Sequence, residues 1–230
     1  MDDTNTPSER GDRGDATRRA LIEAAITEFA RDGFHAASTR EIARSSGANQ
    51  ALIGYHFGGK EGLYLAVFQF IAEQIQARVG SAVVPIEAYL AELRDDKALT
   101  KAQREQCIAH LMQLVECIAH LHTDPQTMPW AQLIMREQQS PTKAFDILYE
   151  GFMSRYLGIV TRLVQRLRPD LSRDEAALRV ITVLGQILVF RVARSTLLRH
   201  MSWQDVGPAE VDMIIQQIKA NLTAMLQAKD

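Results

Sequence analysis

The segment that decides the fold runs from Ser38 to Phe57 and reads Ser-Thr-Arg-Glu-Ile-Ala-Arg-Ser-Ser-Gly-Ala-Asn-Gln-Ala-Leu-Ile-Gly-Tyr-His-Phe. It predicts two short helices around Gly47, because a glycine supplies the positive φ that a sharp turn needs. The first helix can bury Ile42 against a scaffold, and the second can bury Ile53 while its N-terminal half stays polar. This pattern is typical of a helix–turn–helix unit, whose second helix enters the major groove of duplex DNA.

The ends of both helices can be predicted from their capping residues. Ser38 and Glu41 have the spacing of a capping box, so we expect a helix from Thr39 to about Ser46. Asn49 is a favourable N-cap for the second helix, which we expect to end near residue 57.

A helix on each side completes the predicted N-terminal unit. The first is expected over about 16–31, where apolar residues recur at the spacing of one buried helical face, and Gly33 ends it. A fourth helix is expected from about Lys60 to Gly80. We expect the helix–turn–helix domain to cover 15–60, preceded by a disordered arm over 1–14 that has too little apolar surface to fold.

The remaining residues, 61–230, are expected to form a helical regulatory and dimerisation domain. Proline and charged runs separate the periodic segments, so helices are predicted at about 85–94, 100–121, 127–139, 142–167, 172–198 and 208–228. Gly (13) and Pro (7) are sparse and fall between these segments, which predicts an all-α chain.

The predicted helix over 172–198 is apolar on nearly every side between Ala176 and Ala193. A helix of this kind must be covered on every face. We therefore expect a second subunit to cover part of it, with a central core helix in a monomer as the alternative.

Composition restricts the class of protein. The net charge of −2 does not indicate bulk attraction to nucleic acid, although between residues 16 and 60 six basic residues outnumber four acidic ones. The sequence shows no apolar run long enough to cross a membrane, and its first fifteen residues lack the hydrophobic region of a signal peptide. We expect a cytoplasmic protein without a membrane partner.

The two cysteines do not indicate a disulfide or a metal site. Cys107 and Cys117 lie ten residues apart on one predicted helix, which is about 15 Å along its axis. A histidine follows each of them by three residues, but a straight helix cannot bring all four side chains to one ion. We expect buried structural thiols in a reducing compartment, no metal and no cofactor.

Several short motifs resemble the TetR/AcrR family of transcriptional regulators. The matching residues are Gly33-Phe34, Ser38-Thr39-Arg40-Glu41-Ile42-Ala43, Gly47, Tyr55-His56-Phe57 and Lys60-Glu61-Gly62-Leu63. The segments 136–142 and 185–203 resemble the CecR-like subfamily of that family. The resemblance implies a homodimer that binds a double-stranded DNA operator, a variable C-terminal ligand-binding domain, and repression that a small-molecule effector relieves.

The resemblance also assigns candidate DNA-binding residues, which are Ser38, Thr39, Arg40, Asn49, Gln50, Ala51, Gly54, Tyr55, His56 and Lys60. Arg40 matches a position that can reach a base edge, where an arginine pairs with guanine. Asn49, Gln50 and Ala51 begin the recognition helix, and Tyr55, His56 and Lys60 match its phosphate-contacting end. The sequence departs from the family pattern in two places, with Gly54 where tyrosine is usual and Leu52 where a small or hydroxyl residue is common.

Candidate effector-binding residues are polar groups within apolar helices, because a buried polar group needs a partner. We select His110, Gln113, Glu116, Arg136, Gln186 and Arg191. Arg191 has an alternative role as an ion-pair partner across a dimer, and Arg136 with Glu137 could form a solvated pair.

The sequence thus predicts a ligand-responsive DNA-binding regulator, more specifically a repressor that binds a palindromic operator. The alternative is a helical ligand-carrier or protein-interaction module that does not bind DNA. An enzyme is not expected, because the sequence offers no nucleophile–base pair and no phosphate-binding glycine loop.

Overall fold

A computed structural model describes residues 7–94 and 97–227, and side chains from residue 14 onward. These residues form helices and connecting turns without any strand, which confirms the predicted all-α class. The helices are α1 (Pro7–Ala36), α2 (Thr39–Ser45), α3 (Ala51–Phe57), α4 (Lys60–Glu92), α5 (Lys101–Thr123), α6 (Met128–Gln139), α7 (Lys143–Leu148), α8 (Ser154–Leu167), α9 (Arg173–Val192), α10 (Arg194–Met201) and α11 (Pro208–Gln227).

The chain forms two compact units. The N-terminal unit comprises the chain up to Gln74 together with Met128–Gly151, and the C-terminal unit comprises Ile75–Thr127 and the chain from Phe152 onward. The N-terminal unit therefore extends beyond the predicted boundary at residue 60 and includes α6 and α7, which follow α5 in the sequence.

The structure does not agree with the expectation of a disordered arm over residues 1–14, because α1 already begins at Pro7. Proline is favourable at the first helical position. Extending a helix that has already formed costs far less than nucleating a new one, so a polar segment joined to α1 can continue it. Residues 1–6 of the predicted arm lie outside the described residues.

The helix–turn–helix elements form where the sequence predicts them, and Gly47 has the expected positive φ of 69°. The predicted capping box is wrong, because the side chain of Ser38 makes no cap hydrogen bond. Glu41 instead accepts hydrogen bonds from the Arg44 guanidinium one turn later. This bond holds the pKa of the Glu41 carboxyl below its usual range.

The predicted break between residues 80 and 85 is wrong, since α4 continues through Pro85 to Glu92. A proline inside a helix removes one backbone hydrogen bond. Val83 and Ile86 on either side of it are 1% and 0% exposed, so their burial offsets that loss.

Two long predicted helices are divided in the structure. The segment predicted as 142–167 forms α7 and α8 with a π-helical turn, Tyr149–Met153, between them. The segment predicted as 172–198 forms α9 and α10, which meet at an angle of 73°. Ala193 lies at this bend and leaves helical geometry with φ −100° and ψ 27°.

Of the described helices, none is by itself long and apolar enough to cross a membrane. The bent pair of α9 and α10 reaches the required length and composition only when the two are taken together.

Candidate functional site

The helix–turn–helix scaffold is held by small and branched apolar side chains. Ile42 and Ala43 of α2 and Ile53 of α3 are each at most 3% exposed. Because α3 is only seven residues long, burial of Ile53 largely determines which side of the helix faces outward.

The predicted DNA-binding residues therefore lie mainly on an open surface. Ser38, Arg40, Asn49, Gln50, Ala51, Gly54 and Tyr55 are exposed, and Thr39, His56 and Lys60 are half-buried. Tyr55 is 81% exposed, and its ring contacts that of its neighbour His56, with a distance of 5.0 Å between the ring centres. These side chains can reach a ligand as large as duplex DNA.

Two hydrogen bonds order the start of the recognition helix α3. The Nε2 atom of Gln50 donates to Oγ1 of Thr39 at 3.0 Å, which links α3 to the first residue of α2. The Oδ1 atom of Asn49 accepts from the backbone N–H of Ala51 at 2.9 Å, although the N-cap residue of α3 is Gln50 and not the predicted Asn49. These two bonds fix the polar residues at the start of α3.

The other end of the motif is anchored to α1. The Lys60 ammonium donates to the His35 carbonyl oxygen at 3.0 Å and lies 5.0 Å from the centre of the Phe34 ring. A cation at the C-terminal end of a helix is favourable, because the carbonyl groups there carry partial negative charge. Lys60 thus fixes the turn that follows α3 and remains half-exposed at this surface.

Sequence reasoning missed two residues that shape this surface. Arg18 of α1 lies with its guanidinium carbon 5.4 Å from the centre of the Phe57 ring at the end of α3. A Cβ atom at Gly62 would lie 1.8 Å from the Phe57 carbonyl oxygen, so glycine is required where α4 passes the end of α3. No signal in the sequence links Arg18 to Phe57, whereas Gly62 belongs to the motif quoted above.

The Arg-Glu pair at 136–137 is built into the N-terminal unit. An Nη atom of Arg136 donates to the carbonyl oxygens of Ala30 at 3.1 Å and Arg31 at 3.4 Å, near the end of α1. Gly33 interrupts helical geometry there with φ 77° and ψ 172°, and a Cβ atom at this position would lie 2.3 Å from Arg136. Arg136 therefore donates hydrogen bonds to backbone carbonyl groups next to this kink.

Glu137 is 3% exposed, and both oxygens of its carboxylate accept hydrogen bonds. Its carboxylate accepts hydrogen bonds from the Tyr64 hydroxyl of α4 and from the backbone N–H and hydroxyl of Thr142, all at 2.9 Å. Burial and this hydrogen bond raise the pKa of Tyr64. The alternative of a solvated Arg136–Glu137 pair is thus wrong for Glu137, which joins α6 to α4 and to the start of α7.

In the C-terminal unit, three of the predicted effector residues already have protein partners. Glu116 accepts from the Lys219 ammonium at 2.6 Å, and Gln186 accepts from the Asn221 amide at 2.9 Å. His110 lies 3.2 Å from Nε2 of Gln106, and burial lowers the pKa of this histidine. Gln113 is exposed on α5.

Arg191 has the most extensive set of partners among these candidates. It donates to the carbonyl oxygens of Leu121, His122 and Asp124 and to the hydroxyl of Thr127, at 2.6–3.2 Å. Burial lowers the pKa of its guanidinium. Arg191 fixes the end of α5 and the turn that follows, and its Nη1 atom is buried without a hydrogen-bond partner among the described residues.

A cavity of about 80 Å³ lies among α5, α8, α9 and α11 of the C-terminal unit. Its wall includes Leu111, Val164, Val180, Leu222 and Met225, and among the described wall residues Tyr156 alone has an oxygen or nitrogen atom in its side chain. None of the six predicted effector residues lines this cavity.

Both the N-terminal and the C-terminal part of the chain match known protein families. Residues 21–67 match the family model of bacterial regulatory proteins of the tetR family, and residues 104–229 match the C-terminal domain of the HTH-type transcriptional dual regulator CecR. CecR of Shigella flexneri is 31% identical over 216 residues, which cover 94% of this chain and 93% of that protein. The chain belongs to the TetR family of transcriptional regulators.

Solved structures of TetR-family regulators share this fold at low sequence identity. A transcriptional regulator from Pseudomonas aeruginosa superposes with a TM-score of 0.64 at 17% identity, covering 91% of this chain and 89% of that one. AibR, crystallised with isovaleryl coenzyme A and operator DNA, superposes with a TM-score of 0.60 at 15% identity, covering 91% of this chain and 97% of that one. The TetR family consists of transcriptional regulators, which are not enzymes.

Proposed function

We propose that this TetR-family regulator is a cytoplasmic repressor that binds a palindromic operator as a homodimer and leaves it when a small-molecule effector binds. The observation that carries the proposal is the exposed surface at the start of α3, where Asn49 and Gln50 precede the helix and Tyr55 projects from it, while the buried Ile53 holds the opposite side. A helix exposed in this way fits the major groove of DNA, whereas a carrier protein does not require such a surface.

Each predicted DNA-binding residue has a proposed role. Arg40, Asn49, Gln50 and Ala51 face the base edges, since they surround the start of α3. Ser38, Thr39, Tyr55, His56 and Lys60 contact phosphates and fix the position of the helix without reading sequence. Gly54 allows the backbone of α3 to approach the DNA closely, because it has no side chain.

The proposed dimer rests on an apolar stripe along the outer side of α9. Leu178, Ile181, Val189 and Val192 are 67%, 49%, 48% and 63% exposed, and their spacing places them on one face of the helix. A patch of this kind marks a protein interface when it is continuous. The occupant is a second copy of this chain, since a two-fold axis places the same stripe on both sides.

Effector binding is proposed to act on the distance between the two recognition helices of the dimer. Palindromic half-sites repeat after one turn of DNA, about 34–36 Å, so the dimer binds only while its α3 helices keep that spacing. A ligand that prefers another spacing shifts the population away from the DNA-bound form. AibR provides a precedent for this fold, because its structure contains both a small molecule and operator DNA.

The test is a selection of random duplex DNA on the purified full-length protein, followed by affinity measurements at several salt concentrations. A palindrome should be enriched, and its binding should weaken steeply as salt rises. Arg40→Ala should weaken binding and relax the preference at one base position, at about 1–3 kcal/mol.

Lys101→Ala provides the matched control, because Lys101 is an exposed cation of the C-terminal unit whose side chain is 92% exposed. This variant should bind the selected palindrome as the wild type does. Enrichment of no sequence, or equal losses in both variants, would favour the carrier or interaction module instead.

A further inference from the structure

The cavity in the C-terminal unit differs from a site that recognises a charged ligand. No nitrogen or oxygen atom of its wall, as the structure describes it, faces the cavity. A polar group placed there would lose its water and gain no hydrogen bond. Apolar cavities take up apolar molecules, as an engineered cavity of about 150 Å³ takes up benzene.

The polar groups nearby are not available to turn inward at low cost. Glu116 is bound to Lys219, Gln186 to Asn221, and Arg191 to the end of α5. Recruiting Glu116 to a ligand would break its bond to Lys219. The Nη1 atom of Arg191 is buried without a hydrogen-bond partner among the described residues, but neither Arg191 nor Gln186 lines the cavity. The sequence-based criterion of polar groups in apolar helices therefore selects residues that stabilise the unit itself.

The size of the cavity sets a second restriction. At about 80 Å³ it is roughly half the volume of the engineered benzene site. Met225 forms part of the wall, and a methionine side chain adapts its shape at little cost. The cavity can thus admit a small ring or a short branched chain after a modest adjustment.

We infer that the effector of this regulator is an uncharged, apolar molecule, or one that inserts an uncharged apolar group into this cavity among α5, α8, α9 and α11. That the bound molecule acts as an effector rests on the proposed function. Its chemical class rests on the composition of the cavity wall.

The experiment uses the full-length protein and three probes of one ring system, toluene, phenol and benzoate. Toluene and phenol have nearly the same size, so their difference reports the hydroxyl group, and benzoate adds a charge. Affinity is measured by ligand-observed NMR and by the rise of the unfolding temperature with probe concentration. We expect phenol to bind about 10-fold and benzoate at least about 100-fold more weakly than toluene, because neither polar group finds a partner.

Two variants locate the bound probe. Val180→Phe fills the cavity and should abolish toluene binding, whereas Val84→Phe makes the same substitution at a side chain that is 57% exposed and should leave binding unchanged. Because the larger side chain of Val180→Phe lowers the stability of a packed core, the cavity is also tested with a second substitution in its wall, Leu222→Ala. It enlarges the cavity and should shift the preference from toluene towards naphthalene.

Operator binding is measured in the same samples, with and without toluene. Toluene should lower operator affinity in the wild type and leave it unchanged in Val180→Phe. Benzoate binding as tightly as toluene, toluene binding that Val180→Phe does not reduce, or toluene binding without loss of operator affinity would each overturn the inference. Failure of the probe-free protein to select any DNA instead contradicts the proposed function, and the preference among the three probes is measured independently of it.

Discussion

Among single residues, Gly33 and Arg136 form the most informative pair in the N-terminal unit. Gly33 has φ 77° and ψ 172°, a backbone region that is essentially restricted to glycine. The guanidinium of Arg136 occupies the space that a side chain at this position would need. The kink at the end of α1 and the attachment of α6 therefore depend on the same glycine.

Gly33→Ala should lower the free energy of unfolding through two separate effects. The backbone strain costs about 1–3 kcal/mol, and displacement of Arg136 from the carbonyl oxygens of Ala30 and Arg31 costs about 1.5–3 kcal/mol more. In an Arg136→Met background the second effect is absent, so Gly33→Ala should cost less there by that amount. Urea unfolding of the four proteins of this double-mutant cycle measures the difference.

Gly47→Ala is the control for this cycle. Gly47 also has a positive φ, but nothing lies within 4 Å of a Cβ atom placed there. Its cost should therefore be the same with and without Arg136. A cost of Gly33→Ala that did not change in the Arg136→Met background would contradict the proposed contact.

At the scale of single elements, α9 is the helix whose two sides differ most in their surroundings. Val180 and Ile187 are 7% and 3% exposed and line the cavity, whereas Ile181 and Val192 on the outer stripe are about half-exposed. The sequence shows only that the helix is apolar on nearly every side. The structure separates the side that its own unit covers from the exposed side, on which we propose that a second copy packs.

Ile181→Glu and Val192→Glu should each convert the proposed dimer to monomers without unfolding the chain. A carboxylate buried in an apolar interface without a partner costs several kcal/mol, so the dissociation constant should rise at least about 100-fold. Light scattering after size-exclusion chromatography measures the mass at several protein concentrations. Val84→Glu introduces the same charge at an exposed valine of α4 and should leave the dimer intact. Equal behaviour of all three variants would count against α9 as the interface.

The elements also show which features can be predicted from sequence. The helix–turn–helix helices follow from local signals, because Gly47 fixes the turn and Ile53 fixes the buried face. Continuation of α4 through Pro85 was not predictable, since the burial of the neighbouring Val83 and Ile86 offsets the local cost of a proline, and the local sequence does not show that burial. The partner of Glu116 lies 103 residues away on Lys219. Sequence alone does not tell which polar groups find such partners, and for this reason the predicted effector residues do not line the cavity.

In the whole molecule, the order of the helices along the chain differs from their distribution between the two units. Helices α6 and α7 follow α5 in the sequence, yet Arg136 and Glu137 attach α6 to α1 and α4 within the N-terminal unit. Thr127 is the last residue of the C-terminal unit before the chain enters α6. Its hydroxyl oxygen accepts a hydrogen bond from Arg191. Thr127 is followed directly in the chain by Met128, the first residue of α6.

The Arg191 site should also make the stability of the whole molecule depend on pH through His122. Burial, and secondarily the Arg191 charge, lower the pKa of His122 from 6.5 to about 4. Between about pH 6.5 and 4 the unfolded chain binds a proton that the folded chain does not, so the free energy of unfolding should fall as pH falls through this window. This contribution is complete above pH 6.5 and lost below about pH 4, and it amounts to about 1–3 kcal/mol. Carboxylates in ion pairs, such as Glu116, also lose stability in acid, so the measurement compares urea unfolding of the wild type with His122→Gln at each pH. The variant should lose less stability than the wild type between pH 6.5 and 4, and parallel curves over that range would show that His122 is protonated as easily in the folded chain as in water.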